Sequence, residues 1–245
     1  MKDKLIGKSK LFFNWMPQGV DTLLDLGCAY SFMLNLLGQK SKRRFGLDFD
    51  LEKLNQGKLR FPAIKYVAGS GEALPFQDNF FDVVTFFEVL EHVENQKMFI
   101  AEVRRVLKPR GIIMFSVPNR GLAEYIDMDN VIFTPLLWCV KKLGFFKKVS
   151  DYYLRYHRHY SVKDISKILG VSFVIEKVYY GGFFLNQLAF LVYKAIYLFC
   201  LLLHADPKGR FLTWLAWGMD RMTSLDFDHS FGTASDKLCI LARGI

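Results

Sequence analysis

Five groups of residues have types and spacings that could do chemistry. The first is Asp25-Leu26-Gly27-Cys28-Ala29-Tyr30-Ser31, an acid followed by small residues at alternate positions. Such a run suits a tight turn whose backbone approaches a ligand that side chains would push away. The second is Asp48-Phe49. Asp48 follows Asp25 at close to the roughly 20-residue spacing of an acid that binds ribose hydroxyls, and Phe49 could pack on adenine. The third is Glu88-Val89-Leu90-Glu91-His92-Val93, which puts Glu88, Glu91 and His92 on one face if a helical turn begins there. Two carboxylates and an imidazole on one face could hold a divalent cation such as magnesium, leaving positions for a substrate oxygen. Without a metal, His92 is the candidate general base. The fourth is Gly69-Ser70-Gly71-Glu72 and the fifth His157-Arg158-His159.

These groups need elements to position them. Leu23–Leu26 reads as a short strand running into the first turn, and Phe32–Leu37 as the start of the next helix. A helix is expected over residues 3–19. Strands follow at Arg44–Asp48, Ile64–Val67, Phe81–Phe87 and Ile112–Val117, with helices at Leu51–Arg60 and Met98–Leu107. The run Phe81–Phe87 is apolar and partly β-branched, as a strand buried on both faces should be. Lys108-Pro109-Arg110-Gly111 reads as a turn. Ser161 is a plausible cap for a helix to Leu169, and strands six and seven are expected at Val171–Tyr180 and Lys237–Ala242. Strands alternating with helices predict an α/β, Rossmann-like, mostly parallel seven-stranded sheet with helices on both faces. Ligands bind such sheets at the carboxyl ends of the strands, where Asp25 and Asp48 lie.

Composition narrows the class. At 245 residues the chain suits one α/β domain spanning 1–245 with insertions. Just over half its residues are hydrophobic, and 33 Lys+Arg against 24 Asp+Glu leave +9. That balance favours anionic partners. The four cysteines are scattered, so buried reduced thiols are expected rather than zinc or disulfides. The start of the chain lacks the long apolar core of a signal peptide, and a cytoplasmic protein is expected, at most at the inner face of a membrane.

The first turn departs from the G-x-G-x-x-G of dinucleotide sites, because Phe32 stands where the last glycine belongs. From Asp25 to about Asn119 the chain instead resembles class I S-adenosylmethionine-dependent methyltransferases, of the type found in ubiquinone biosynthesis. Asp25 and Gly27 match D-x-G-x-G-x-G, with Ala29 and Ser31 replacing later glycines. Gly69-Ser70-Gly71-Glu72-Ala73-Leu74-Pro75-Phe76 and Asn79-Phe80-Phe81-Asp82-Val83-Val84 resemble the family's most specific block, although Ser70 stands where an acid usually faces the adenine amino group. Leu107–Gly111 matches its "LKPGG" turn, and Tyr156–Ser161 an element that lines the acceptor side. The resemblance implies that Asp25 and the turn's N–H groups hold the methionine end of S-adenosylmethionine. It assigns further cofactor contacts to Gly27, Cys28, Ala29, Asp48, Phe49, Ser70, Gly71, Glu72 and Glu88, and catalytic roles to His92, Glu91 and His159. Glu88, Glu91 and His92 also resemble the magnesium motif of polyprenyl-catechol O-methyltransferases.

Two stretches lie outside this frame. Residues 120–155, with a basic cluster at Lys141, Lys142, Lys147 and Lys148, are expected as a helical cap inserted over the acceptor site (120–160 in all). Residues 183–229 are an apolar helical insert between the last two strands. Within it Phe183–Leu203 is long enough to span a membrane, but the return to the same sheet favours a helix in the membrane interface, against a second copy of the chain, or over an apolar pocket. The expected activity is methyl transfer to an oxygen of an amphipathic or lipid-linked small molecule. The alternatives are RNA or soluble-metabolite methylation, although no nucleic-acid module is recognisable, and a non-catalytic membrane-associated protein with the same fold.

Overall fold

The computed structural model describes residues 5–125, 158–182 and 226–245, with 135, 142, 192 and 196 as isolated positions. Seven strands form one sheet in the order β3-β2-β1-β4-β5-β7-β6. They are β1 Val20–Leu26, β2 Ser41–Asp48, β3 Lys65–Ala68, β4 Phe81–Phe87, β5 Leu107–Pro118, β6 Phe173–Gly181 and β7 Lys237–Gly244. The pairs β1–β2, β2–β3, β1–β4 and β4–β5 are parallel. The helices are α1 Gly7–Trp15, α2 Phe32–Leu37, α3 Leu51–Arg60, α4 Gln96–Val106, α5 Leu122–Tyr125 and α6 Val162–Leu169. This is the Rossmann-like arrangement expected. Because the chain leaves β1 for β2 on one side and returns to β4 on the other, the order reverses at β1, which opens a crevice at its carboxyl end.

Local chemistry sets the element ends. The Asp50 side chain caps α3 by accepting from Glu52 N and Lys53 N, and Asn95 caps α4 by accepting from Met98 N at 3.1 Å. Ser161 and Asp164 form a reciprocal capping box at the start of α6, each satisfying a backbone donor that the first turn leaves over. The sheet's interior is aromatic: Phe86 stacks on Phe115 at 4.5 Å and meets Phe99 edge-on at 5.2 Å. At the starts of β1, β4 and β5, Thr22 and Lys108 both bind the Asp82 carboxylate, at 2.9 and 2.7 Å.

Two local expectations are corrected. The first helix is shorter than 3–19, spanning Gly7–Trp15. The expected turn at Lys108–Gly111 lies inside β5, where the register against β4 slips between Phe81↔Leu107 and Val83↔Ile112. The turn-forming letters are therefore spent on a bulge, with Arg110 at φ 59° in place of a glycine.

The chain divides into two compact units. One comprises Ser9–Val117, Tyr160–Tyr179 and Leu238–Ile245. The other takes its described residues from Met1–Lys8, Pro118–His159 and Tyr180–Lys237. Within the second, the buried Asn119 amide donates to Thr233 O at 3.0 Å and Ser235 O at 2.8 Å. The cap expected at 120–155 and the apolar segment 183–203 lie outside the described residues except at margins and isolated positions. Among the described residues no helix is long and apolar enough to cross a membrane.

Candidate functional site

Beyond β1 the backbone leaves ordinary geometry. Gly27 has φ 67°, Ala29 43° and Ser31 62°. A Cβ at Gly27 would come within 2.5 Å of Val89 Cγ2, so only glycine fits both the conformation and the space. Left-handed backbone costs a residue with a Cβ roughly 1–2 kcal/mol, and Ala29 and Ser31 both bear that strain. Gly27 N and Cys28 N donate to Leu47 O at 2.8 and 3.1 Å, and Ser31 N to Cys28 O at 2.7 Å. The turn is thereby tied to the end of β2.

Two acids flank it. Asp48 is 6% exposed, its Oδ2 accepting from Ala29 N at 2.8 Å and its Oδ1 from Asp50 N at 3.0 Å. Each carboxylate oxygen has a second lone-pair direction, so hydroxyl donors can still be received. Phe49 beside it is 66% exposed. Asp25 is 3% exposed and its Oδ1 accepts from Thr85 Oγ1 at 2.6 Å. Burial pushes its carboxyl up to about 7; the Thr85 hydroxyl opposes this and the Asp48 charge adds to it. Burial, with the Asp25 charge adding, likewise pushes the Cys28 thiol up to about 12. Cys28 is therefore an inert thiol whose part in the turn is its backbone.

The block after β3 is held locally. Ser70 Oγ accepts from Glu72 N at 3.1 Å, and Glu72 Oε1 accepts from Asn95 N at 2.9 Å. A Cβ on Gly71 would meet the Phe99 ring at 2.5 Å. Glu72 thus links this loop to the capping residue of α4.

After β4, Glu88 takes φ 54°, its Oε1 accepting from Ser116 Oγ at 2.6 Å while its N–H donates to Ser116 O at 3.0 Å. Leu90–His92 is a single 3₁₀ turn, with Glu91 buried. A 3₁₀ turn does not align i, i+3 and i+4 as an α-helix does, and Glu88 precedes it, held on β5. Glu88, Glu91 and His92 accordingly do not form the cation site that their spacing on an α-helical turn could have offered. Among the described residues no three His, Cys, Asp or Glu side chains are grouped to hold a metal ion. His159 is buried in the other compact unit, its carbonyl accepting from Arg120 Nη2 at 3.2 Å; His157 lies outside the described residues.

Sequence reasoning missed Thr85, Val89, Ser116 and Gln96, and read Tyr160 only as part of an element on the acceptor side. Gln96 Nε2 donates to Leu90 O at 2.9 Å and to the Tyr160 hydroxyl, and that hydroxyl lies 3.4 Å from the same carbonyl. Thr85 alone had a signal, as a hydroxyl within the apolar run of β4.

The sequence pattern of a methyltransferase domain family matches residues 24–115, from β1 into β5. A Mycolicibacterium smegmatis protein named "Probable S-adenosylmethionine-dependent methyltransferase" is 35% identical over 98 residues, 40% of this chain and 38% of that protein. A demethylmenaquinone methyltransferase of Renibacterium salmoninarum is 46% identical over 78 residues, 31% of this chain and 33% of that one. A ubiquinone biosynthesis O-methyltransferase of Shewanella halifaxensis is 31% identical over 110 residues, 43% of this chain and 47% of that one. The matches thus span about a third to a half of these curated relatives. A TehB-like S-adenosylmethionine-dependent methyltransferase from Corynebacterium glutamicum superposes with a TM-score of 0.56 at 13% identity, over 99% of this chain and 89% of that one. The [4+2]-cyclase SpnF does so with 0.59 at 16% identity, over 96% and 80%. At such identities the likeness is one of fold.

Proposed function

We propose that this chain, whose residues 24–115 match a methyltransferase domain family, is an S-adenosylmethionine-dependent methyltransferase and that it methylates an oxygen of an amphipathic or lipid-linked small molecule. The observation that carries the cofactor half is the turn at the carboxyl end of β1. Gly27 admits no Cβ, Ala29 and Ser31 hold strained backbone, and Asp25 and Asp48 flank them. Strain kept at a strand-end crevice fits a ligand that approaches the backbone.

In this reading Asp25 holds the ammonium end of the methionine moiety; the N–H groups of Gly27, Cys28, Ala29 and Ser31 already donate within the protein, so the carboxylate end falls to Tyr30 N. Asp48 offers its remaining lone pairs to the ribose hydroxyls, Phe49 packs on the adenine, and Ser70, Gly71 and Glu72 line its far edge. When bound, S-adenosylmethionine supplies an electrophilic methyl group on a leaving group that departs uncharged. The protein's share is then alignment and removal of the acceptor's proton. We assign the proton to an imidazole nitrogen of His92, on the turn after β4, with Glu91 of the same turn as the further candidate.

The acceptor half has separate support. Two relatives are named for demethylmenaquinone methylation and for O-methylation in ubiquinone biosynthesis, and the chain is 51% hydrophobic with a net charge of +9. Phe183–Leu203 and the basic residues at 141–148 would then dock on an anionic membrane surface, a second copy of the chain being the other occupant for that stretch. Isothermal titration with S-adenosylmethionine tests the premise: saturable binding is expected, and none in a folded sample would overturn it. Transfer of a labelled methyl group to prenylated phenols, compared with water-soluble phenols, tests the acceptor class.

A further inference from the structure

The Thr85 hydroxyl lies within hydrogen-bonding distance of two acceptors, Leu24 O at 3.3 Å and Asp25 Oδ1 at 2.6 Å. It has one proton to give. If the Asp25 carboxyl is ionised, that proton goes to Asp25 and the longer contact is a poor one. If the carboxyl is protonated, Asp25 donates to Thr85 Oγ1 and Thr85 donates to Leu24 O, so each group has a role. The surroundings favour the second arrangement. Asp25 and Thr85 are register partners on β1 and β4, and both are buried. On the other side the register partner of Asp25 is Gly46 of β2, which brings no side chain. Among the described residues the ionisable groups that act on or with Asp25 are Asp48 at the end of β2 and the Cys28 thiol of the turn. Neither brings a positive charge.

We infer that Asp25 is protonated in the empty site and releases its proton to solvent when the ammonium group of the cofactor's methionine moiety arrives, the Thr85 hydroxyl reversing its hydrogen bond to follow the change. The balance is simple: a neutral carboxyl and an ammonium become a carboxylate–ammonium pair, and one proton passes to buffer. Burial, which pushes Asp25 up to about 7, sets the range in which this is visible. Thr85 is a positioning residue in this account, able to donate to the ionised form and accept from the neutral one. The inference rests on the S-adenosylmethionine reading for the identity of the cation, although the protonated acid of the empty protein does not.

The test has two arms on the full chain. Carbon-detected NMR of the empty protein, with Asp25 assigned through Asp25→Asn, should show a carboxyl titrating near neutrality; a midpoint in the ordinary carboxylate range overturns the proposal. Calorimetric titration with S-adenosylhomocysteine, in buffers of different ionisation enthalpy, counts protons. Close to one should be released at pH 6 and about half at pH 7, both below the roughly 7.7–8.0 midpoint of an α-amino group. Affinity should rise about fivefold from pH 6 to pH 7, and Asp25→Asn should remove that slope. Thr85→Val should weaken binding by about 10- to 100-fold through the lost charge-assisted donor, and Thr85→Ser should restore it. Binding without proton release overturns the proposal alone. No binding in any buffer, with Asp25 titrating near neutrality, overturns the cofactor reading and leaves the protonated acid standing.

Discussion

Asp25 bears a cost that depends on pH. Its folded pKa, about 7, lies above the unfolded value of 3.8, so between those values the folded chain holds more protons than the unfolded one. Stability must then fall as pH rises through that window and level off above 7, by about 4 kcal/mol at most. Asp25→Asn keeps the shape and removes the titration. Its melting temperature should match wild type near pH 4 and exceed it by several degrees at pH 8; a wild-type excess that does not shrink with rising pH would count against the assignment. Gly27 makes a steric demand instead. Gly27→Ala places a methyl 2.5 Å from Val89 Cγ2 at φ 67°, and cofactor affinity should drop at least tenfold. Val89→Ala added to it should recover part of the loss, because it removes the clash while the backbone strain of roughly 1–2 kcal/mol remains.

Between β4 and α4 the 3₁₀ turn Leu90–His92 is anchored from outside. Gln96 and the Tyr160 hydroxyl meet at the Leu90 carbonyl, and Tyr160 leads into α6. If His92 works from this turn, Tyr160→Phe should lower kcat several-fold, through one lost hydrogen bond of about 1 kcal/mol. Cofactor affinity should be unchanged, because the Gly27–Ser31 turn is built on β1 and β2. Equal losses in cofactor binding and kcat would mean that the substitution only loosens the fold. These anchors were not legible beforehand, since Tyr160 and Leu90 lie 70 positions apart. The caps at Asp50, Asn95 and Ser161 are local, and of these Ser161 was read as one.

On the scale of the whole molecule, charge and apolar surface make the remaining prediction. A chain with +9 and an apolar stretch at 183–203 should float with vesicles containing anionic lipid, and less as salt rises, because screening shortens the reach of surface charge to about 8 Å at 0.15 M. Failure to float with anionic vesicles at low salt, together with a dimer in solution, would move that stretch to an interface between copies.

The sequence by itself determined most of the element types, the acids at the strand ends and the likeness of residues 24–115 to a methyltransferase domain family. Those signals are local: strand periodicity, capping side chains, and small residues at alternate places in a turn. Tertiary structure decided what depends on distant partners. The strand order put β4 beside β1, which set Thr85 against Asp25 and Val89 over Gly27. A bulge absorbed the turn expected at Lys108–Gly111. A 3₁₀ turn in place of an α-helical one parted Glu88, Glu91 and His92 as metal ligands. The same letters would have served in each case; the partners across the sheet made the choice, because packing and hydrogen bonding between elements outweigh the weak preferences of any short segment.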